Sequence, residues 1–497
     1  MKSIKAGSAV AFTFAVIFST AAYGSTKTKN LRKHISLEEL VLGAIKDSST
    51  AQKIKLEALS GQIRTLRNET PLDLNVYSSI SNTSSEAESI STTAAESSNT
   101  SAITIGASKY FSSGTSIQGT VTAADSAFTY PSPIGKTETG SSKVSLTLKQ
   151  NLLSDSFGAA TRQNLASSSE FESAIEFAVK DSLEDYALKV SDIYFNTQKA
   201  QYRTEAAKKN ESEQKRLYKI AKILHRRGNI ERSDLLQIES SNLNATEELY
   251  NSETALNNIW NTAITFLGLS HDYKQVDAKE IKLTLKDRSI IANIICEEPK
   301  RVDLASSNKY KNIEKMYTSS INSLSAKKDL ALPKLTLEFT YAADNFEEDQ
   351  SDALNDSLGF ENPTSTVVLN FSSSIGNSMN KANLFESAKS HAAAKISFDN
   401  FKSERLTEIE NECSTYERNV ERTKNLGKIY NLHSKKAKLD MNRFELGRLD
   451  AFTAIQSTIA KNSAWLGYES SKLDIQSSAW KIMYLSGELE KTLIPAK

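Results

Sequence analysis

The side chains that most often do chemistry in proteins are sparse and scattered in this sequence. It has two cysteines, Cys296 and Cys413, and five histidines, none of which has the close Cys/His spacing of a zinc site. Serine and aspartate are abundant, but they occur in no nucleophile elbow, phosphate-binding loop or metalloprotease motif. The sequence therefore predicts no enzyme and no cofactor, and leaves the two cysteines as candidates for covalent chemistry.

The charge of the chain argues against nucleic acid as a partner. There are 61 Lys and Arg residues against 60 Asp and Glu residues, which leaves a net charge of +1. No basic block of the kind that contacts a phosphate backbone interrupts this balance. The composition instead describes a polar, mostly helical chain.

The N-terminus has the pattern of a cleaved secretory signal at 1–24. Lys2 and Lys5 precede a short apolar run at 9–22, which ends at the small-residue site Ala22-Tyr23-Gly24. The run is shorter than the roughly twenty apolar residues of a membrane helix. A retained anchor is the alternative, because a tyrosine weakens the cleavage site. No other long apolar segment follows, so strands would have to make any contact with a bilayer.

The prolines divide the chain into segments of two kinds. A proline inside a helix costs about 3 kcal/mol, and the seven prolines leave two very long stretches free, at 157–298 and 364–494. Within these stretches apolar residues recur every three or four positions, as they do from Phe171 to Ile193. The pattern predicts very long helices of the coiled-coil kind.

Near the prolines themselves, apolar residues recur at every second position. Alternation of apolar and polar residues marks 72–76, 144–148, 335–341 and 367–371. A strand in an outer membrane needs this pattern, with one face toward lipid and one toward a water-filled lumen. An ordinary half-buried sheet is the alternative. Two weaker segments, 103–109 and 116–121, predict a tight hairpin around Gly114, and the sequence leaves its place in the sheet open.

The same order of elements occurs twice along the chain. Gly228-Asn229-Ile230-Glu231 corresponds to Gly447-Arg448-Leu449-Asp450, and equal spacing then leads to Gly268 or Gly487. A helix at 158–227 would span roughly 105 Å, and the shorter helices of each half add up to the same length. Each half therefore predicts two parallel rods, one continuous and one stacked from pieces.

These patterns divide the chain into five parts. They are the signal peptide at 1–24; a first repeat at 25–270, with strands in 72–153, a long helix at 158–227, a turn at 228–234 and a return helix at 232–267; a mid-height connector at 271–299; a second repeat at 300–487, with strands in 334–375, a long helix at 377–446, a turn at 447–453 and a return helix at 451–486; and a C-terminal tail at 488–497.

The two cysteines fall at the same predicted height. The rise per residue puts Cys413 about halfway along the second long helix, and Cys296 lies in the mid-height connector. They could therefore approach each other. A disulfide and a pair of free buried thiols both remain open.

With this plan the chain resembles the TolC-like outer-membrane efflux proteins over nearly its whole mature length. The resemblance rests on the duplicated plan, on Leu332-Pro333-Lys334-Leu335 leading into a strand, on the strand-to-helix junction at 148–153, and on the two glycine-marked turns. It implies an α+β membrane protein that forms a homotrimer. About four strands per subunit would build one twelve-stranded β-barrel in outer-membrane lipid, continued by a long coiled-coil α-helical barrel. Four strands cannot close a barrel alone, so the strands independently require oligomers.

The resemblance also implies a function and a location. The family forms passive channel-tunnels in the outer membrane of Gram-negative bacteria, with a large periplasmic portion. They dock to a periplasmic adaptor protein and to an inner-membrane pump or ABC exporter. Efflux of small molecules is the function we favour from the sequence. Type I secretion of unfolded polypeptides and a non-conducting scaffold that spans the envelope remain alternatives.

The resemblance implies that adaptors engage the periplasmic tip at the two turns. The family uses a glycine followed by an apolar residue, which here gives Gly228, Ile230, Gly447 and Leu449. The alternative role of each glycine is to allow a positive φ at a helix end.

Acidic residues at the same tip are candidates for a pore constriction. Three copies of Glu231, Asp234 or Asp450 around an axis would form a ring that attracts cations. The alternative is that they complement the helix dipole. The family often carries acids at two further positions, where this chain has Thr453 and Gln456. This difference from the family argues against a strong acidic constriction.

Overall fold

The computed structural model describes residues 34–86, 95–130, 135–268, 278, 282–284 and 286–489. The predicted signal peptide at 1–24 lies outside these residues, and so does the predicted C-terminal tail beyond residue 489.

The described residues form helices and strands in the following order. The helices are α1 (Leu37–Asp47), α2 (Ser49–Leu56), α3 (Ala58–Glu69), α4 (Ala159–Arg226), α5 (Arg232–Leu267), α6 (Ser289–Glu297), α7 (Asn308–Leu330), α8 (Gln350–Leu358), α9 (Ser378–Glu445) and α10 (Ala451–Leu485). The strands are β1 (His34–Ser36), β2 (Leu74–Ser85), β3 (Ser97–Tyr110), β4 (Thr115–Tyr130), β5 (Gly135–Asn151), β6 (Lys282–Thr284), β7 (Lys334–Glu347) and β8 (Pro363–Ser372).

Two helices of equal length form the frame of the molecule. α4 and α9 each contain 68 residues, which corresponds to about 102 Å. α4 contains neither glycine nor proline, and the single glycine of α9, Gly427, packs against the ring of Tyr468. α5 packs on α4 and α10 packs on α9, while α7 contacts both long helices. None of the helices in the described part of the chain combines the length and apolarity needed to cross a bilayer.

The repeat is visible where each return helix ends. Gly268 is the C-cap of α5, and Gly487 lies two residues after the last residue of α10; both glycines have positive φ. A Cβ on Gly268 would lie 2.9 Å from the Cα of Ser48, and a Cβ on Gly487 would lie 3.0 Å from the Cβ of Ser307. Each of these serines caps a short stacked helix, α2 or α7. Close packing therefore requires glycine at both helix ends.

One large sheet lies beside the N-terminal ends of α4 and α9, away from the turns at Gly228 and Gly447. Its strand order is β2-β3-β4-β5-β7-β8, and all neighbours are antiparallel. The α+β fold class is confirmed, but the sheet has six strands, whereas the family resemblance implied about four. The additional pair is β3 and β4, whose alternation is weak because small residues such as Ala107, Gly119 and Ala123 occupy apolar positions. α8 packs against β5 and β7.

Three apolar clusters hold the helices together. One lies at the height of the small parallel sheet of β1 and β6 and contains Tyr186, Tyr194 and Trp480. The second joins α6, α7, α9 and α10 around Cys413. The third lies at the far end of the helices, and we call it the tip cluster: Leu217, Ala221, Leu224, Ile238, Phe444, Ala451, Ala454 and Ile455.

Candidate functional site

One face of the large sheet is polar and bonded across its strands. The hydroxyl oxygens of Thr104 and Thr122 are 3.1 Å apart, and those of Thr147 and Thr340 are also 3.1 Å apart. Ion pairs between β5 and β7 continue the same face: Lys143–Asp344 at 3.1 Å and Lys149–Glu338 at 3.0 Å. These hydrogen bonds and ion pairs join side chains of neighbouring strands, so the polar groups of this face are partnered across the sheet. This face suits contact with water.

The other face of the sheet is apolar and uncovered over most of its area. Directly opposed residues include Ile80 with Ile103, Ile105 with Val121 and Phe339 with Val367. Ile80 is 82% exposed and Val367 is 68% exposed. A contiguous exposed apolar surface of this kind marks contact with a partner or with lipid. Together the two faces have the polarity of a barrel wall between lipid and a lumen.

The two helix turns at the tip share one geometry. Gly228 follows α4 with a φ of +73°, and Gly447 follows α9 with a φ of +67°. The amide of Asn229 donates to the carbonyl of Leu224 at 2.9 Å, and the equivalent bond in the second turn measures 2.8 Å. A left-handed glycine commonly ends a helix in this way, because it satisfies the last carbonyl groups. The glycines therefore have a structural role, whatever they bind.

The predicted docking residues lie next to each other at the tip. A Cβ on Gly447 would lie 3.9 Å from the Nδ2 atom of Asn229, so the two turns are neighbours. Gly228 and Gly447 are exposed. Ile230 and Leu449 are half-buried, because both pack against the tip cluster. The structure thus places all four residues together and leaves the two glycines the more accessible.

Sequence reasoning missed several exposed apolar side chains near the tip. Leu446 is 66% exposed, Phe452 is 56% exposed and Leu236 is 55% exposed. Each lies within eight residues of a tip glycine. Their exposure depends on which side of each helix faces the tip cluster. The helical period, combined with the buried positions Phe444 and Ile455, is the signal that could have identified them.

The acidic residues at the tip differ in what holds them. Asp450 caps α10, since its carboxylate accepts the backbone N–H of Thr453 at 2.8 Å and the Thr453 hydroxyl at 2.8 Å. These hydrogen bonds lower the pKa of Asp450 below its ordinary value. Glu231 is exposed at the start of α5 and accepts a 3.4 Å hydrogen bond from the Ser233 hydroxyl. Asp234 lies half-buried in the first turn of α5, and Gln456 is exposed on α10.

At mid-height a disulfide joins two elements that are distant in sequence. Cys296, near the end of α6, is bonded to Cys413 of α9, with a Cα–Cα distance of 5.4 Å. The Tyr416 hydroxyl donates to the carbonyl of Ser289 at 3.2 Å and fixes the other end of α6 to the same helix. Among the described residues no group of three His, Cys, Asp or Glu side chains is placed to hold a metal ion.

This protein is similar to known proteins in its structure. No protein-family model matches the sequence, and no characterised protein matches it either. The structure is similar to that of the outer-membrane channel OprN, with a TM-score of 0.66 and 14% identity, over 91% of this chain and 90% of that chain. It is also similar to the Campylobacter jejuni CmeC outer-membrane channel, with a TM-score of 0.66 and 13% identity, over 91% and 86% of the two chains. The outer-membrane protein VceC of Vibrio cholerae matches with a TM-score of 0.65 and 11% identity, over 92% of this chain and 95% of its own.

Each match spans about nine-tenths of the chain and therefore extends into both repeats. The similarity agrees with the duplicated helices, the glycine turns and the two-faced sheet described above. The chain therefore has the fold of the TolC-like outer-membrane efflux channels.

Proposed function

We propose that three copies of this chain form a passive channel in the outer membrane of a Gram-negative bacterium, continued by a helical duct through the periplasm. The observation that carries the proposal is the large sheet, which is apolar and exposed on one face and polar on the other. The sheet stands on two 68-residue helices, which would extend about 102 Å from the membrane. Such a molecule conducts solutes and catalyses no reaction.

The tip is the part of the duct that would meet its partners. A periplasmic adaptor would contact the exposed turns at Gly228 and Gly447. Ile230 and Leu449 would support these turns, because both side chains pack against the tip cluster. Leu446 and Phe452 would add apolar contact area to the same surface. An inner-membrane pump would then deliver small molecules through the adaptor. The family resemblance is the basis for small molecules as the cargo.

The acids at the tip would set which ions pass the closed end. Asp234 and Glu231 at the start of α5 are the candidates for a ring around the three-fold axis. Asp450 contributes less to this ring, because its carboxylate is occupied by Thr453. Thr453 and Gln456 add no charge, so the ring would be only moderately acidic.

Single-channel conductance of the purified protein in planar bilayers tests the proposal, with the oligomeric state measured in the same detergent. A trimer with small, cation-dependent conductance is the expected result. A second sample carrying Ile230→Ala and Leu449→Ala loosens the tip and should conduct more. A trimer that never conducts, even with the loosened tip, would mean a structural scaffold rather than a channel.

A further inference from the structure

The large sheet has two open edges that nothing in the described chain covers. β2 forms one edge and β8 forms the other. Every residue of both strands is exposed. The outer backbone groups of each strand have no partner strand among the described residues. Unpaired strand edges are not tolerated in lipid, since each unsatisfied backbone group there costs several kcal/mol.

The hairpin of β3 and β4 is a full part of this sheet. Every residue of β3 pairs with β4, and every residue of β4 pairs with β5. The polar face continues through it without a break, because Thr104 meets Thr122 and Thr120 meets Ser145. The apolar face also continues, through Ile103, Ile105 and their neighbours.

The turn of this hairpin is fastened to the base of the helices. The Arg162 guanidinium on α4 donates to the carbonyl of Ser112 at 3.0 Å. Tyr110 donates its hydroxyl to Asp155, in the junction between β5 and α4. Gly158 at this junction has a φ of +76°, and a Cβ there would overlap the carbonyl oxygen of Ser112. The hairpin is therefore built into the junction that starts the first long helix.

We infer that the barrel of this protein is closed by pairing β2 of one subunit with β8 of the next, and that it contains eighteen strands. The inference rests on the proposed trimer: three copies of a six-stranded sheet supply eighteen strands. The family resemblance implies twelve. The partner at each edge is thus a second copy of this chain.

The directions and faces of the two edges suit this pairing. β2 begins beside the helices and runs away from them, whereas β8 runs back toward α9. The two strands are therefore antiparallel across the seam, as are all other neighbours in the sheet. On one face β2 carries Leu74, Val76 and Ile80, and β8 carries Val367, Leu369 and Phe371 on the face continuous with it. The seam would continue the apolar band.

The strand number decides how wide the exit is. With strands about 4.8 Å apart and tilted by about 40°, eighteen strands enclose a backbone diameter of about 36 Å, against about 24 Å for twelve. A barrel of this size leaves a broad aqueous lumen. The barrel would therefore select little by size, and selection would fall to the helical tip.

Electron cryomicroscopy of the full-length trimer in lipid nanodiscs tests the strand number directly. Eighteen strands with β2–β8 seams are expected. A trimer with twelve strands, and with β3 and β4 folded away from the wall, would overturn the inference and leave the proposed channel intact. Particles that are not trimers would contradict the proposed function itself.

Cysteine crosslinking in native membranes gives a second measurement that needs no reconstruction. The Thr120 and Ser145 hydroxyl oxygens are 2.5 Å apart, so Thr120→Cys with Ser145→Cys should oxidise to an intrachain disulfide and lose maleimide labelling. The matched control pairs Ser79→Cys on β2 with Ser145→Cys, which the hairpin separates. Crosslinking in the control pair alone would place β2 beside β5 and exclude β3 and β4 from the wall.

Discussion

At the scale of single residues, Asp450 illustrates a tip carboxylate whose first task is to start a helix. Removing an N-cap side chain usually costs about 0.5–2 kcal/mol. Asp450→Ala should therefore loosen the first turn of α10, because the Thr453 amide and hydroxyl lose their acceptor. Hydrogen exchange of the segment at 450–455 would measure the loss. Thr453→Ala is the control, since it keeps the backbone donor and should have a smaller effect.

The same residue gives the tip a dependence on pH. Its folded-state pKa is lowered from the ordinary value of 3.8, chiefly by the backbone hydrogen bond from Thr453. A lowered folded-state pKa stabilises the fold above the unfolded value and stops doing so as the pH falls through the folded-state pKa. The difference between the wild type and Asp450→Ala should thus be full at pH 7 and shrink below pH 3.8. A difference that stayed constant in acid would contradict the capping role.

Asp234 allows the ring and the helix-dipole roles to be separated. Asp234→Asn should reduce the ratio of cation to anion permeability measured by reversal potential, because three charges leave the proposed axis at once. If the carboxylate serves only the dipole of α5, the variant should lose about 0.3–1 kcal/mol of stability and keep its ion selectivity. Glu247→Gln is the matched control for charge removal, because Glu247 is an exposed acid on the same helix, 13 residues further along the chain from the tip.

At the scale of elements, the disulfide determines how firmly α6 is held on α9. It closes a separation of 117 residues, and losing such a link typically costs about 2–5 kcal/mol. The trimer of the double variant Cys296→Ser with Cys413→Ser should dissociate at a lower temperature than the wild-type trimer. Reductant should lower the dissociation temperature of the wild-type trimer to that of the double variant, and it should leave the dissociation temperature of the double variant unchanged. A reductant effect on the double variant would mean that the link is not the cause.

The junction between β5 and α4 should tolerate no side chain at Gly158. Gly158→Ala forces a Cβ against the backbone of the β3–β4 turn, where Ser112 and Gly114 lie within 2.6 Å. Gly135→Ala is a matched control, because Gly135 also has a positive φ but has open space around its Cα. We expect Gly135→Ala to cost about 1–2 kcal/mol from backbone conformation alone. Gly158→Ala should cost distinctly more, measured as loss of folded trimer in the membrane fraction.

At the scale of the whole molecule, the sheet must keep one face toward lipid and the other toward water. Val367 lies on the apolar face of β8 and its neighbour Thr366 lies on the polar face. Val367→Arg should cost about 2–4 kcal/mol of membrane stability, and heat-modifiability on gels would report it. Thr366→Arg places the same charge toward the lumen and should change conductance instead. Equal losses in both variants would contradict a lipid-facing apolar side.

Much of this architecture can be predicted from local patterns in the chain. Long helices follow from proline-free stretches with a helical period, and the turns at Gly228 and Gly447 follow from the conformational freedom of glycine. The fold class could therefore be predicted, together with the strands that carry large apolar residues. The sequence left the place of β3 and β4 open, because alanine and glycine at apolar positions conceal their alternation.

What the sequence determined by itself is local: where the backbone can stay helical, where it must turn, and which strands have two unlike faces. Only the tertiary structure decided that β3 and β4 complete a six-stranded sheet, that Cys296 meets Cys413, and that Leu446 stays exposed while Leu449 is half-buried. The physical reason is the range of the interactions. Helix propensity and glycine turns act over a few residues, whereas strand pairing, disulfide geometry and burial depend on segments that folding brings together from far along the chain.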